Sequence, residues 1–259
     1  MNKNKVIAII QARRSSTRLP DKIFKTIKKK PLIHWIISRV SKSQLINKII
    51  IATTKDRADN KIISWAKNNT SCETFRGSKN NVLARFYNCA IKYKPKYIVR
   101  ITADDPFKDP RLIDKAIRII KKNKYDYCSN TIFPTYPDGL DIEVFTFLAL
   151  KKAFKNAKLK SDEEHVTSYI WRNPKIFKLK NFLNKKNYSK IRLTIDTKKD
   201  YKFINRIIKY FKYDIANISY KLIIKDLMKN KNFIKYMGKV SKNYKFYSQI
   251  KNEKYKNIR

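Results

Sequence analysis

The chain is poor in cysteine, with three in 259 residues. Cys72, Cys89 and Cys128 are widely spaced and odd in number, which argues against a disulfide framework. No Cys-x-x-Cys pair occurs, so neither a zinc site nor a dithiol redox centre is indicated, and ordinary reduced thiols are expected. Histidine is scarcer still, at two residues, and no Ser-His-Asp or Cys-His arrangement is legible. Long apolar runs are missing too. Val6 to Ile10 is too short for a signal peptide or a membrane span, and no later run approaches the roughly 18 residues a span needs. A soluble, cytoplasmic protein is expected. Hydrophobic residues still make up 42%, enough to bury a core for one large domain with a small appendage.

Negative charge is in short supply as well. There are 62 Lys and Arg against 20 Asp and Glu, a formal net charge of +42. A basic, non-enzymatic nucleic-acid-binding protein would account for that charge and for the 16 tyrosines, since basic surfaces attract phosphates and aromatics stack on bases. However, Lys recurs along the whole chain among Asn and Ile, all encoded by A/T-rich codons, so gene composition is a competing cause. No nucleic-acid motif is present.

What is present is an alternation of strands and helices. Lys5–Ile10, Lys48–Thr53, Ser71–Phe75 and Tyr97–Thr102 read as strands. Between and after them, helical faces fall within Pro31–Ser41, Arg57–Asn68 and Asn81–Tyr93, and in a helix opened by Asp109 and Pro110. Repeated β-α-β units imply an α/β fold with a mostly parallel sheet and right-handed crossovers. After residue 125 the rhythm loosens. Tyr127–Phe133 leads into a Pro-rich turn at 134–139, and strands are expected at Asp141–Phe145, Ile176–Asn181 and Lys190–Ile195. Ser161 with Glu164 fits a capping box opening a helix to Trp171, and Thr197 with Asp200 fits another helix start. The division expected is a main domain, 1–215, and a basic C-terminal extension, 216–259, partly helical or loosely ordered.

Candidate chemistry clusters after the strands, where open α/β sheets bind ligands. The loop Gln11–Lys22 packs three Arg, one Lys and three hydroxyls into twelve residues, suited to gripping a triphosphate. It lacks glycine and is not a P-loop. Asp104 and Asp105 follow an apolar strand, and Asp196 ends a second one. Mg²⁺ favours one or two carboxylates plus phosphate oxygens and water, and turn or capping roles compete for each of these acids. Arg76, Ser78 and Asn81–Arg85 form a polar turn entering a helix, suited to a base or phosphate. Asp138, Asp141 and Glu143 could contact sugar hydroxyls, add a metal ligand or shape a loop. His165, after two acids on a helix, suits a hydrogen-bonding role better than that of a general base, and His34 reads as structural.

At these residues the sequence resembles the CMP-sugar synthetases, the cytidylyltransferases for 3-deoxy-manno-octulosonate and acylneuraminate. It is most similar to the branch named for spore coat polysaccharide biosynthesis. The resemblance covers roughly residues 5 to 210. It rests on Gln11-Ala-Arg13, Ser16-Thr-Arg-Leu-Pro20 with Lys22, Phe75-Arg-Gly-Ser78, Arg100-Ile-Thr-Ala-Asp104, Tyr136-Pro-Asp-Gly-Leu-Asp-Ile-Glu-Val144, Glu164-His-Val-Thr167 and Ile195-Asp-Thr197. It implies a nucleotide-diphospho-sugar transferase fold, Rossmann-like and often dimeric. The implied activity is Mg²⁺-dependent transfer of CMP from CTP to a sugar or sugar acid, with pyrophosphate release. Arg13 and Lys22 would grip the triphosphate, and Arg13, Lys22 and Asp104 would be catalytic. Gln11, Ala12, Ser15, Ser16, Arg76, Ser78, Arg85 and Asp104 would line the nucleotide, and Asp138, Asp141, Glu143 and His165 the acceptor. Asp104 and Asp196 map to Mg²⁺-binding positions. Departures are Gln11 for Pro, Asp105 for Glu and Ser168 for Pro. The acceptor residues of the octulosonate enzymes do not align, so the sugar stays open. A nucleotidyltransferase using another triphosphate or a sugar 1-phosphate, or a member that has lost turnover, also fits.

Overall fold

The first strand, β1 (Val6–Gln11), is apolar almost throughout and buried on both faces, as a central strand in a parallel sheet must be. Its alternation sorts two cores. Val6, Ala8 and Ile10 face one hydrophobic cluster, and Ile7 and Ile9 face the other. The computed structural model describes residues 5–230, 232 and 233. The tail expected to be loosely ordered from about Ser241 lies outside them.

After β1 come a two-stranded ribbon, β2 (Thr26–Ile27) and β3 (Lys30–Pro31), then α1 (Leu32–Val40), β4 (Lys48–Thr54), α2 (Asn60–Asn69), β5 (Glu73–Gly77), α3 (Val82–Tyr93) and β6 (Tyr97–Thr102). The second half holds α4 (Pro110–Asn123), β7 (Tyr127–Ser129), β8 (Glu143–Thr146), α5 (Phe147–Asn156), α6 (Lys160–His165), α7 (Ser168–Arg172), β9 (Leu179–Asn181), α8 (Lys198–Tyr210) and α9 (Tyr220–Lys229). The main sheet has seven strands in the order β5-β4-β1-β6-β8-β7-β9. β5, β4, β1 and β6 run parallel, and β8 lies antiparallel to both β6 and β7. The chain builds outward from β1 to β5, then returns to β6 on β1's other side. Open α/β sheets of this kind bind ligands beyond the carboxyl ends of the strands at such a reversal, here β1 and β6.

Helices cover both faces, completing the three-layer α/β architecture. On one side α1, α4, α8 and α9 bury Leu32, Ile36, Ile113, Ile117, Ile204 and Leu227 against β1 and its neighbours. On the other, α3 and α5 bury Leu83, Phe86, Ala149 and Leu150. Because α9 joins the same cluster as α8, the described part of the segment after residue 215 shares the main core. Arg39, 1% exposed, stitches α1 to that layer by donating to the carbonyls of Lys108 at 2.5 Å and Ile215 at 2.7 Å.

Several helix starts follow from their caps. Asn81 accepts from the Ala84 amide at 2.7 Å, Asp109 from Arg111 at 2.9 Å, and Thr197 with Asp200 closes a capping box on α8. The Ser161–Glu164 box does not form. Ser161 is buried inside α6, which opens at Leu159 without a side-chain cap. The expected helix to Trp171 breaks at Val166, where φ is +64°. Helix α5 was not anticipated, although Thr146 caps it by accepting from Ala149 at 3.0 Å. Residues 190–195 are no strand either. They make one isolated bridge, Arg192 with Asp138 of the loop before β8, and the Ile195 amide donates to the Asp104 carbonyl.

Candidate active site

The β1 loop is shaped by its own polar groups. Arg14 donates through Nε to Asp21 at 2.8 Å and through Nη1 to the Ala58 carbonyl at 3.0 Å, while its amide donates to Asp59 at 2.9 Å. This arginine therefore staples the loop to the start of α2 and is not free for phosphate. Asp21 then takes a left-handed turn, φ +55°, and a 3-10 turn at Lys22–Phe24 follows. The reversal sends Lys22 back across the loop toward the strand ends.

There Lys22 meets two acids from distant segments. Its Nζ lies 2.9 Å from Asp104 Oδ2 and 3.0 Å from Asp196 Oδ1. Asp104 stands just past β6. Asp196 reaches it because residues 191–196 are laced between two loops: the Leu193 amide donates to the Asp138 carbonyl at 2.7 Å, and the Ile195 amide to the Asp104 carbonyl at 2.9 Å. Burial would raise the Asp104 carboxyl, but the Lys22 ammonium outweighs it and holds the pKa down at about 2. Lys22 itself is raised despite burial, by the same two carboxylates. Arg18 adds a contact to Asp196 Oδ1 at 3.2 Å.

Behind this pair sits Arg192, to which sequence reasoning assigned no role. Its guanidinium reaches three carboxylates: Asp138 through Nη1, Asp196 Oδ2 at 2.9 Å and Asp200 Oδ1 at 3.1 Å. Burial pushes the Asp138 carboxyl up to about 6 against the pull of Arg192. Asp141 is raised well above the usual carboxylate range by burial and by Asp138. Asp105 is buried and turned away, paired with Lys108 at 2.7 Å and accepting from Thr102 at 2.8 Å. Gly139 permits the 138–141 loop to lie on residues 193–194. Its φ is +100°, and a Cβ there would meet the Leu193 carbonyl carbon at 2.8 Å and the Thr194 nitrogen at 2.9 Å.

Other expected residues take different places. Glu143 is 7% exposed and spends its oxygens inward, on Arg100, on Tyr127 Oη at 2.8 Å and on Thr167. It anchors the sheet rather than presenting an acid to an acceptor. Gln11 accepts from Arg100 Nε at 3.1 Å, and Ala12 donates to the Ala52 carbonyl at 3.1 Å, carrying β1's pairing into the loop. Arg13 and Ser15 are exposed, and half-buried Ser16 accepts from the Leu19 amide at 3.4 Å. Arg76 folds over the Thr54 and Asp56 carbonyls at 3.2 and 3.1 Å, and Ser78 accepts from the Asn81 amide at 3.0 Å. Arg85, 2% exposed, has Nε and Nη1 without a hydrogen-bond partner among the described residues, and burial lowers its pKa to about 10. A buried guanidinium in that state is suited to an anion or carbonyl from outside the chain. Gly77 leaves room for it, since a Cβ there would lie 2.7 Å from Arg85 Cγ.

His165 is half-buried and precedes a tight reversal at Val166, whose neighbour Thr167 donates its amide to the His165 carbonyl at 2.6 Å. A β-branched residue at φ +64° is strained, and the surrounding contacts hold it there. His34 sits on α1 with its ring edge-on to Trp35. Among the described residues no group of three or more His, Cys, Asp or Glu side chains is placed to hold a metal ion. No helix among the described residues is long and apolar enough to cross a membrane.

Comparison with known proteins matches residues 7–240 to the cytidylyltransferase family. A Methanocaldococcus jannaschii protein, MJ1063, without assigned function, is 43% identical over 231 residues, 87% of this chain and 91% of that protein. The Bacillus subtilis spore coat polysaccharide biosynthesis protein SpsF is 33% identical over 210 residues, 79% of this chain and 86% of that protein. A cytidylyltransferase structure from Leptospira borgpetersenii superposes with a TM-score of 0.84 at 33% identity, covering 89% of this chain and 97% of that one. The CMP:2-keto-3-deoxy-manno-octonic acid synthetase, solved with CTP, shares the fold at a TM-score of 0.61 and 14% identity, over 80% of this chain and all of that one. With 33% identity to SpsF and a family match over residues 7–240, this chain belongs to the cytidylyltransferase family of nucleotidyltransferases.

Proposed function

We propose that the protein transfers the CMP moiety of CTP to a sugar or sugar acid, with release of pyrophosphate. The observation that carries this reading is the meeting of Lys22, Asp104 and Asp196 at the carboxyl ends of β1 and β6. Choice of cytosine rests on family membership, and a sugar acceptor on the likeness to SpsF, of spore coat polysaccharide biosynthesis, and to the octonic acid synthetase.

In this reading the triphosphate lies on the 11–22 loop, with Arg13, Lys22 and the Ser15 and Ser16 hydroxyls as its partners. Arg76, Ser78 and Arg85, whose Nε and Nη1 lack a partner among the described residues, face the nucleotide from the β5–α3 turn. Asp104 and Asp196 are hard oxygen donors already directed at a shared cation, so they would suit Mg²⁺. Mg²⁺ held there supplies charge neutralisation to the polyphosphate. Asp138 and Asp141 border the acceptor side. The Asp141 carboxyl there is raised well above the usual range by burial and by Asp138. His165 is a second candidate acceptor contact. The acceptor hydroxyl oxygen attacks the α-phosphorus in line, its proton is lost to water, and the bond from the α-phosphorus to the bridging oxygen breaks. Pyrophosphate then departs against Arg13 and Lys22, with no protein nucleophile required.

The test is product formation. The protein is incubated with Mg²⁺, a panel of sugar acids and neutral sugars, and CTP, UTP, ATP or GTP; pyrophosphate is quantified and CMP-sugars are sought by mass spectrometry. CTP-selective, acceptor-dependent release is expected. Asp104→Asn should lower turnover at least ~100-fold while the unfolding midpoint changes little. Wild-type-like turnover in that variant rejects the assignment of Asp104, and release without nucleotide preference rejects the cytidylyl reading.

A further inference from the structure

Resting on that reading of the site, we propose that Lys22 closes the divalent-cation position in the free protein, so that the metal enters only together with the nucleotide. The Lys22 ammonium stands between Asp104 Oδ2 and Asp196 Oδ1, at 2.9 and 3.0 Å, and the three side chains are only 15%, 22% and 5% exposed. A cation coordinated by both carboxylates must approach each oxygen to about 2.0–2.1 Å for Mg²⁺. It would have to stand where the ammonium now is.

Charge points the same way. Asp196 carries three cationic contacts: Lys22 and Arg18 on Oδ1, the latter at 3.2 Å, and Arg192 on Oδ2 at 2.9 Å. Little negative field is left to draw a hydrated dication, which gives up water reluctantly. Lys22 and Arg18 differ from Arg192 in one respect. Arg192 is 7% exposed in its side chain and tied to two further acids, whereas Lys22 and the 44%-exposed Arg18 belong to the loop that would hold the triphosphate. Phosphate oxygens offer these two cations a replacement anion. The ammonium, on its flexible stem, passes from the carboxylates to the phosphates, and the vacated acids pass to the metal carried by the nucleotide. Charge is conserved on both sides of the exchange. Metal and nucleotide therefore bind with positive coupling, each raising the other's affinity by the same factor.

The experiment titrates Mn²⁺, as a paramagnetic probe, into the full-length protein with and without a non-hydrolysable CTP analogue. Free Mn²⁺ is followed by electron paramagnetic resonance. Wild type, Lys22→Met and Lys22→Gln are compared, with circular dichroism to confirm folding; the glutamine variant serves if methionine impairs it. The wild type should bind Mn²⁺ weakly alone and at least tenfold more tightly with the analogue. The Lys22 variants should bind Mn²⁺ alone at least tenfold more tightly than the wild type, bind the analogue less well, and lose most of the coupling. Adding Asp104→Asn should abolish the gained Mn²⁺ binding, which locates it. If wild type with analogue binds Mn²⁺ but the folded Lys22 variants show no gain without it, the closing role of Lys22 is refuted and the metal site stands. If neither the analogue complex nor the variants bind Mn²⁺, the metal assignment itself falls.

Discussion

Replacing Arg192 tests whether the site is held together by one buried cation. Arg192→Met keeps much of the side-chain volume and removes the charge. The side chain is 7% exposed, and its nitrogens reach Asp138, Asp196 and Asp200, whose side chains are 25%, 5% and 3% exposed. Removing one partner from a buried ionic cluster strands the others and costs about 3–5 kcal/mol. For a domain of this size that is a fall of roughly 6–20 °C in Tm. Arg192→Lys should recover only part of it, because one ammonium cannot serve three acids in the geometry of a planar fork. The pH dependence sharpens the test. Burial already holds Asp138 at about 6, above its ordinary value of 3.8, so the native state binds that proton more tightly than the unfolded chain. Stability from such a group is full below the unfolded pKa and is lost as pH rises through the folded one. Without Arg192 the folded pKa rises further, so the variant's deficit should be largest near pH 7 and shrink toward pH 5. Urea unfolding at the two pH values reads this directly. A deficit below about 1 kcal/mol at neutral pH, or one that does not change with pH, would refute the reasoning.

Two other predictions follow from the same packing. Gly139→Ala places a methyl against the Leu193–Thr194 backbone at a φ of +100°, and should cost about 2–4 kcal/mol by urea unfolding; a neutral result means the 138–141 loop does not lie on that segment. Burial pushes the Cys89 and Cys128 thiols up to about 12 and raises the half-buried Cys72 less far. Iodoacetamide near neutral pH should therefore label at most Cys72 in the native protein and all three in urea, and rapid native labelling of Cys89 or Cys128 would contradict their burial.

The sequence by itself determined the β-α-β half of the molecule and the α/β class. Continuous apolar runs such as Val6–Ile10 have few alternatives to a central strand, and Asp109-Pro110 and Thr197–Asp200 cap helices through contacts three or four residues long. Local chemistry of that range is written in local sequence. The second half was less legible because its structure is decided at a distance. Residues 190–195 have the apolar pattern of a strand, yet their backbone groups pair with Asp138 and Asp104, contacts that no local pattern encodes. Val166 breaks a well-formed helical pattern because contacts of Thr167 with Glu143 and of Val166 with the core outweigh its preference for negative φ. The roles within the site were settled the same way. Glu143 and Asp141 are two residues apart in one motif, but tertiary packing turned Glu143 inward to Arg100 and set Asp141 beside Asp138. Arg14 and Arg13 are adjacent, and only the position of Asp21 and Asp59 decided which one braces the loop. Arg192 showed in the sequence as one basic residue among 62; its weight comes from three carboxylates brought together by segments up to 62 positions apart in the chain, Asp138 to Asp200. Charge pairing at close range depends on where the folded backbone puts each group, and that is information only the tertiary structure carries.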